Sequence, residues 1–190
     1  MENWNLFESG ALVWIQENLR TELLDKIMPY VSALNNAGIL AIITVLALLA
    51  FKKYREVGIT ACSSLLVEYI IVNLIIKPLV NRTRPYVVNE LLIQLGKRPT
   101  DASFPSGHTG AAFAVALVML FTMPKKYGIT AVVIATLIAY SRLYNGCHFP
   151  TDVLGGFLIA LLTSILATKL VYPRAKKFIE DKRAAKAAQE

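Results

Sequence analysis

The sequence predicts an all-α integral membrane helix bundle, with five to six transmembrane helices and an N-terminal amphipathic helix. Three observations predict it. The 190 residues are 55% hydrophobic with a mean hydropathy of +0.51, too apolar for an ordinary soluble core. Five apolar stretches, at 33–51, 57–76, 107–123, 129–145 and 153–172, approach the roughly 20 residues that a helix needs to cross a bilayer. Basic clusters at 52–55, at 125–126 and along the C-terminal end all fall on one side of that count.

Residues 1–32 make the N-terminal amphipathic interfacial segment. Leu12, Ile15, Leu19, Leu23 and Ile27 recur at helical spacing through 10–28, with Glu17, Arg20, Glu22 and Asp25 between them. With Trp4 and Trp14 nearby, this is the pattern of a helix lying on the outer membrane surface. Met28-Pro29 is expected to break it before the first span. The opening MENWNLFESG is acidic and lacks the basic region of a cleavable signal peptide.

The transmembrane domain covers 33–174. Lys52, Lys53 and Arg55 lie between its first two spans. Span two holds Asn73 and Glu68, and an intramembrane acid is a functional-site hypothesis by default. Glu68 precedes Lys77 by nine residues, about 13 Å along a helix, which favours a structural hydrogen bond to another helix or to a pocket-lining group over direct chemistry. Residues 77–106, with Pro78, Pro85, Pro99 and Pro105, form the longest stretch outside the membrane. Spans three and four are short and joined through Lys125 and Lys126; span five leads into a basic cytoplasmic tail at 175–190, which extends the last helix or frays.

Alternating topology puts the Lys52–Arg55 link, the Lys125–Lys126 link and the tail on one side, the cytoplasmic one by the positive-inside rule. The net charge of +7 is therefore an orientation signal and argues against a nucleic-acid partner. Cys62 falls within span two and Cys147 at the outer end of span four, too far apart for a disulfide. Neither Cys nor His spacing resembles a metal site. No feature speaks to oligomeric state.

The same counting places three polar clusters on the outer face. His148 and Asp152 bracket Pro150 at the start of span five. Four residues apart on a helix, they share a face, and the carboxylate then fixes the imidazole tautomer, leaving the other ring nitrogen as a nucleophile or base. The alternative is a helix-capping Asp beside an interfacial His. Ser106-Gly107-His108 opens span three, where free backbone N–H groups and the helix dipole favour phosphate, and where His108 is placed to protonate a leaving oxygen. Lys77, Arg84 and Arg142 supply cations suited to phosphate oxygens. Arg82 belongs to no cluster and reads as a cation snorkelling at the membrane edge.

Lys77, six residues, Arg84-Pro85; then Pro105-Ser106-Gly107-His108; then Ser141-Arg142, five residues, His148, three residues, Asp152: in this order the motifs resemble the signature of the type 2 phosphatidic acid phosphatase family. This is the membrane branch of the superfamily shared with vanadium haloperoxidases. All the motif positions match, over about 40% of the chain. The resemblance implies a metal-independent phosphatase without a cofactor. In it His148 attacks phosphorus, Asp152 orients His148, and His108 protonates the leaving group. Lys77, Arg84, Arg142, Ser106 and the Gly107 amide hold the phosphoryl oxygens. The expected substrate is a lipid phosphate or diphosphate, with undecaprenyl diphosphate favoured over phosphatidylglycerophosphate and phosphatidic acid because of the compact size. A lipid-linked phosphotransferase and a lipid-phosphate binder or flippase are the alternatives.

Overall fold

The computed structural model describes residues 2–187, and their regular structure is all helical, with no strand among them. Its elements are α1 (Glu2–Leu19), α2 (Glu22–Ala33), α3 (Ile39–Ala50), α4 (Arg55–Tyr69), α5 (Lys77–Val80), α6 (Pro85–Val88), α7 (Gly107–Thr122), α8 (Lys125–Tyr144), α9 (Pro150–Leu170) and α10 (Tyr172–Ala187). Among the described residues, three helical stretches are long and apolar enough to cross a membrane: Arg55–Val88, Lys125–Tyr144 and Pro150–Leu170. A fourth forms if Glu22–Ala33 and Asn36–Ala50, bent by 43°, count as one span, and Gly107–Thr122 is a shorter apolar helix.

The N-terminal segment departs from its expected form. The amphipathic run does not break at Met28-Pro29; Pro29 lies inside α2, and the chain breaks earlier, at Arg20-Thr21. Thr21 caps α2 by accepting the Leu24 N–H at 3.2 Å. Proline removes one helical hydrogen bond, but α8 holds α2 on both sides of it. Tyr144 donates to Asp25 at 2.7 Å, Asn145 donates to the Met28 carbonyl at 3.2 Å, and Arg142 donates to Ser32. The helix stops instead at Asn35–Gly38, where Ala37 (φ 49°) and Gly38 (φ 72°) turn left-handed and start α3. α1 packs against α6 and α8. Gln16 bridges to Ile93, donating to its carbonyl at 2.8 Å and accepting its N–H at 3.0 Å.

α7 is the axis of the bundle, packed between α4, α8 and α9. Ala114 and Val118 on it are fully buried. One apolar cluster joins α3, α4 and α7 through Val45, Val57, Ala61 and Val115; a second joins α7, α8 and α9 through Phe113, Leu117, Ala135 and Ala160. The abundance of alanine lets helices approach closely, which in lipid substitutes packing for a hydrophobic drive. The tail does not simply extend the last helix. The chain turns at Val171, and α10 packs on α4 and α9, burying Ala175 and Ile179. Arg183 donates to the Lys52 carbonyl, so the tail lies against the α3–α4 link. Residues 188–190 of that tail lie outside the described residues.

Candidate functional site

The link Asn145–Phe149 is short and sharply turned, with Gly146 left-handed at φ 64°. It delivers His148, fully buried, directly before α9. Asp152 caps that helix by accepting the Phe149 N–H on Oδ2 at 2.9 Å, and the same oxygen stands 3.4 Å from His148 Nδ1. The cap and the histidine partner, alternatives at the level of sequence, are thus one carboxylate serving both. Ser103 also donates to Oδ2. An Nδ1–Oδ2 separation of 3.4 Å is long for a hydrogen bond, as is common before substrate tightens a site. Burial pushes the His148 imidazole down, Asp152 pulls it back up, and Arg142 and Arg84 push it down again, to about 4. The ring is neutral near pH 7, with its Nε2 lone pair available.

That nitrogen faces a cation. Arg84 Nη1 lies 3.4 Å from His148 Nε2 and donates to the Cys147 carbonyl at 2.8 Å. Lys77 opens α5, directly after a π-helical segment, Ile70–Ile76. Such segments rotate the following residues and recur at functional sites. Arg142 comes from the buried face of α8; Nη1 donates to Ser32, and Nε has no hydrogen-bond partner. Between Lys77 and Arg84 stands Asp101, which sequence reasoning missed. Its carboxylate pairs with Lys77 and accepts from Arg84 Nη2 at 2.8 Å, while Arg84 Nε donates to its backbone carbonyl at 2.8 Å. Burial pushes the Asp101 carboxyl up, but Lys77 and Arg84 outweigh it and hold it at about 2.

Ser106 caps α7, its Oγ accepting from the Thr109 hydroxyl at 3.0 Å, and its own N–H donates to the Asp152 carbonyl at 2.9 Å. α7 and α9 are therefore keyed together at the site. A Cβ on Gly107 would come 3.4 Å from Asn73 Oδ1 and 3.9 Å from Lys77 Nζ, so the bare backbone opens that space. His108 Nε2 lies 3.0 Å from Asn36 Oδ1, and Asn35 donates to the His108 carbonyl at 3.0 Å. The α2–α3 bend thereby fixes His108.

Lys77, Arg84, Gly107, His108, Arg142 and His148 line one cavity of about 520 Å³; Ser106 and Asp152 are buried outside its lining. Glu68 also lines it, buried against Gly110, and Oε1 makes no hydrogen bond, so the expected bond to a neighbouring helix is not formed by that oxygen. Arg82 is not a membrane-edge cation: it is buried and paired with Glu8 and Asp152. The signal for it was Glu8, an acid in the amphipathic segment, since buried charges come in pairs. Nothing in the local pattern marked Asp101 or Asn36. Among the described residues, no group of three His, Cys, Asp or Glu side chains is gathered for a metal. An imidazole lone pair facing cations, with a second imidazole across the cavity, suits in-line attack on a phosphoryl group.

Comparison with known proteins shows the family. Residues 57–176 match the profile of the PAP2 superfamily. An undecaprenyl-diphosphatase of Sulfolobus acidocaldarius is 35% identical over 65% of the chain and 59% of its own length. The undecaprenyl-diphosphatase BcrC of Bacillus subtilis is 30% identical over 76% of the chain and 73% of its own length. The chain thus spans under two thirds of the first relative and somewhat more of the second. Among solved structures, a transmembrane PAP2 type phosphatidylglycerolphosphate phosphatase from Bacillus subtilis is similar, with TM-score 0.68 and 28% identity over 88% of this chain and 84% of its own.

Proposed function

Because the chain belongs to the PAP2 superfamily, we propose that it hydrolyses a lipid phosphate or diphosphate through a phosphohistidine. The observation that carries this reading is the placement of His148 Nε2 beside Arg84 in a cavity that also holds His108, Lys77 and Arg142. His148 Nε2 attacks phosphorus while Nδ1–H faces Asp152. The bond to the leaving oxygen breaks, and His108 protonates that oxygen. Lys77, Arg84, Arg142 and the Gly107 amide stabilise the charge on the phosphoryl oxygens, and Ser106, buried behind them, holds the first turn of α7 in place. Water then attacks the phosphohistidine while His108 takes its proton; the P–N bond breaks, returning neutral His148, protonated His108 and inorganic phosphate.

A lipid substrate is supported by the cavity's other wall, where Ile42 of α3 and Leu65, Leu66 and Tyr69 of α4 form an apolar side. Ile42, Leu66 and Tyr69 are exposed on the outer surface of the bundle, the route by which an acyl or prenyl tail remains in the bilayer. The two undecaprenyl-diphosphatases favour a polyprenyl diphosphate, with phosphatidylglycerophosphate and phosphatidic acid behind it. We place the site on the extracytoplasmic face, opposite the basic links and α10. The test is phosphate release from these three lipids in detergent with chelator present. Undecaprenyl diphosphate should be turned over fastest, and His148→Ala and His108→Ala should lose activity by about a hundredfold or more. Wild-type turnover in His148→Ala sinks the phosphohistidine reading.

A further inference from the structure

Arg82 stands outside the motifs, yet it binds the carboxylate behind the nucleophile. Its side chain is 7% exposed. Nη1 donates to Asp152 Oδ1 and to Thr151 Oγ1, each at 2.7 Å. Nε and Nη2 donate to Asn5 Oδ1 at 2.9 and 2.7 Å, and Nη2 pairs with Glu8. The guanidinium lies 4.0 Å from the centre of the Phe149 ring. Glu8 in turn accepts from the Thr151 N–H at 2.9 Å and its hydroxyl at 2.8 Å. α1, the segment before α6 and the start of α9 therefore meet around one guanidinium.

We propose that Arg82 is a positioning residue for the His148–Asp152 pair, anchored by Glu8 and Asn5 of α1, and that Glu8 keeps the charge of Asp152 available to His148. The inference rests on the phosphohistidine reading and adds two residues to it. Oδ2 of Asp152 serves Phe149, Ser103 and His148. With Oδ1 fixed by Arg82, the carboxylate plane cannot rotate away from the imidazole. Charge makes the second part of the argument. Glu8 and Asp152 are acids and Arg82 is a base, leaving one net negative charge buried behind His148. Attack through Nε2 while Nδ1 keeps its proton makes the ring cationic and brings the group to neutrality. Without Glu8, Arg82 would cancel Asp152, and the cation would form without a counter-charge.

His148 also faces Arg84 at its Nε2, Arg142 from α8 and His108 from α7, all of which oppose its protonation when charged. The folded imidazole titrates near 4, so wild-type kcat should fall only as pH drops toward that value. The experiment is the pH profile of kcat on undecaprenyl diphosphate micelles for Arg82→Met, Arg82→Lys and the double variant Arg82→Met/Glu8→Gln, with folding followed by gel filtration in detergent. Arg82→Met leaves two uncompensated carboxylates, and its acid limb should move up by about one pH unit. The double variant restores one net negative charge, and its limb should return to the wild-type position while kcat stays low. Arg82→Lys keeps the charge but not the fork; its limb should stay in place while kcat falls at least tenfold with KM little changed. A limb that does not move in folded Arg82→Met overturns the inference. So does wild-type kcat in Arg82→Lys, the variant that decides if Arg82→Met does not fold. His148→Ala in the same series keeps the two readings apart, because its retained turnover would remove the phosphohistidine whatever the Arg82 variants do.

Discussion

Asp101 holds both Lys77 and Arg84, the cations that the proposed mechanism assigns to the phosphoryl group. Two cations without an anion between them repel each other, so the carboxylate keeps them together until a phosphate competes for them. Its side chain is half exposed, which limits each pairing to about 1 kcal/mol or less. Asp101→Asn should therefore bind inorganic phosphate about three- to tenfold more tightly, read as a lower inhibition constant for phosphate release. An unchanged constant would show that Asp101 and phosphate do not share these cations. The carboxyl titrates at about 2 in the folded chain, below its ordinary 3.8. Its pairing thus contributes stability above about pH 4 that is lost as pH falls toward 2. The motif residues announced themselves by type and spacing. Asp101 did not, because its role depends on a loop crossing between two cations far away in sequence.

Among the elements, α7 carries the site because its N-terminus starts at the cavity and its sides are covered by three neighbours. At the site end, the close contact is with α9. A Cβ on Gly156 would come 2.5 Å from the Ser106 carbonyl and 3.3 Å from the Gly110 N–H, so α9 approaches the first turn of α7 backbone to backbone. Gly156→Ala should force the helices apart, costing about 1–3 kcal/mol and lowering kcat through the displaced Ser106–Gly107 amides. Thermal unfolding in detergent and turnover both read this. Gly10 has nothing within 4 Å of an added Cβ, so Gly10→Ala is the matched control and should leave turnover unchanged without lowering thermal stability. If Gly156→Ala behaves like that control, the close packing does not matter. The π-helical segment between Tyr69 and Lys77 is the second element the site depends on, since it sets the angle from which Lys77 enters.

Across the whole molecule, polar chemistry and surplus positive charge lie at opposite ends. The site is built from the 77–106 stretch and the Asn145–Phe149 link, whereas α10 reaches the basic link at Lys52. Cys147 is buried and a poor reporter of sidedness. Exposed positions serve better: in a Cys62→Ser background, Glu90→Cys should react with an impermeant maleimide from outside intact cells and Lys53→Cys should not. The reverse pattern would turn the proposed orientation over. The helical membrane class, the apolar segments and the motif residues that line the cavity were legible in the amino-acid order alone. Hydropathy, basic asymmetry and motif spacing are local or additive properties of a chain, so a single sequence displays them. That α2 runs through Pro29, that α10 packs on α4, and that Glu8, Arg82 and Asp101 join the motif residues emerged only in the folded chain. Each of those outcomes depends on a partner distant in sequence: α8 side chains across Pro29, α4 beneath the tail, and opposite charges brought together by burial. Such pairings become favourable only once the bundle has excluded water, and no local pattern records them.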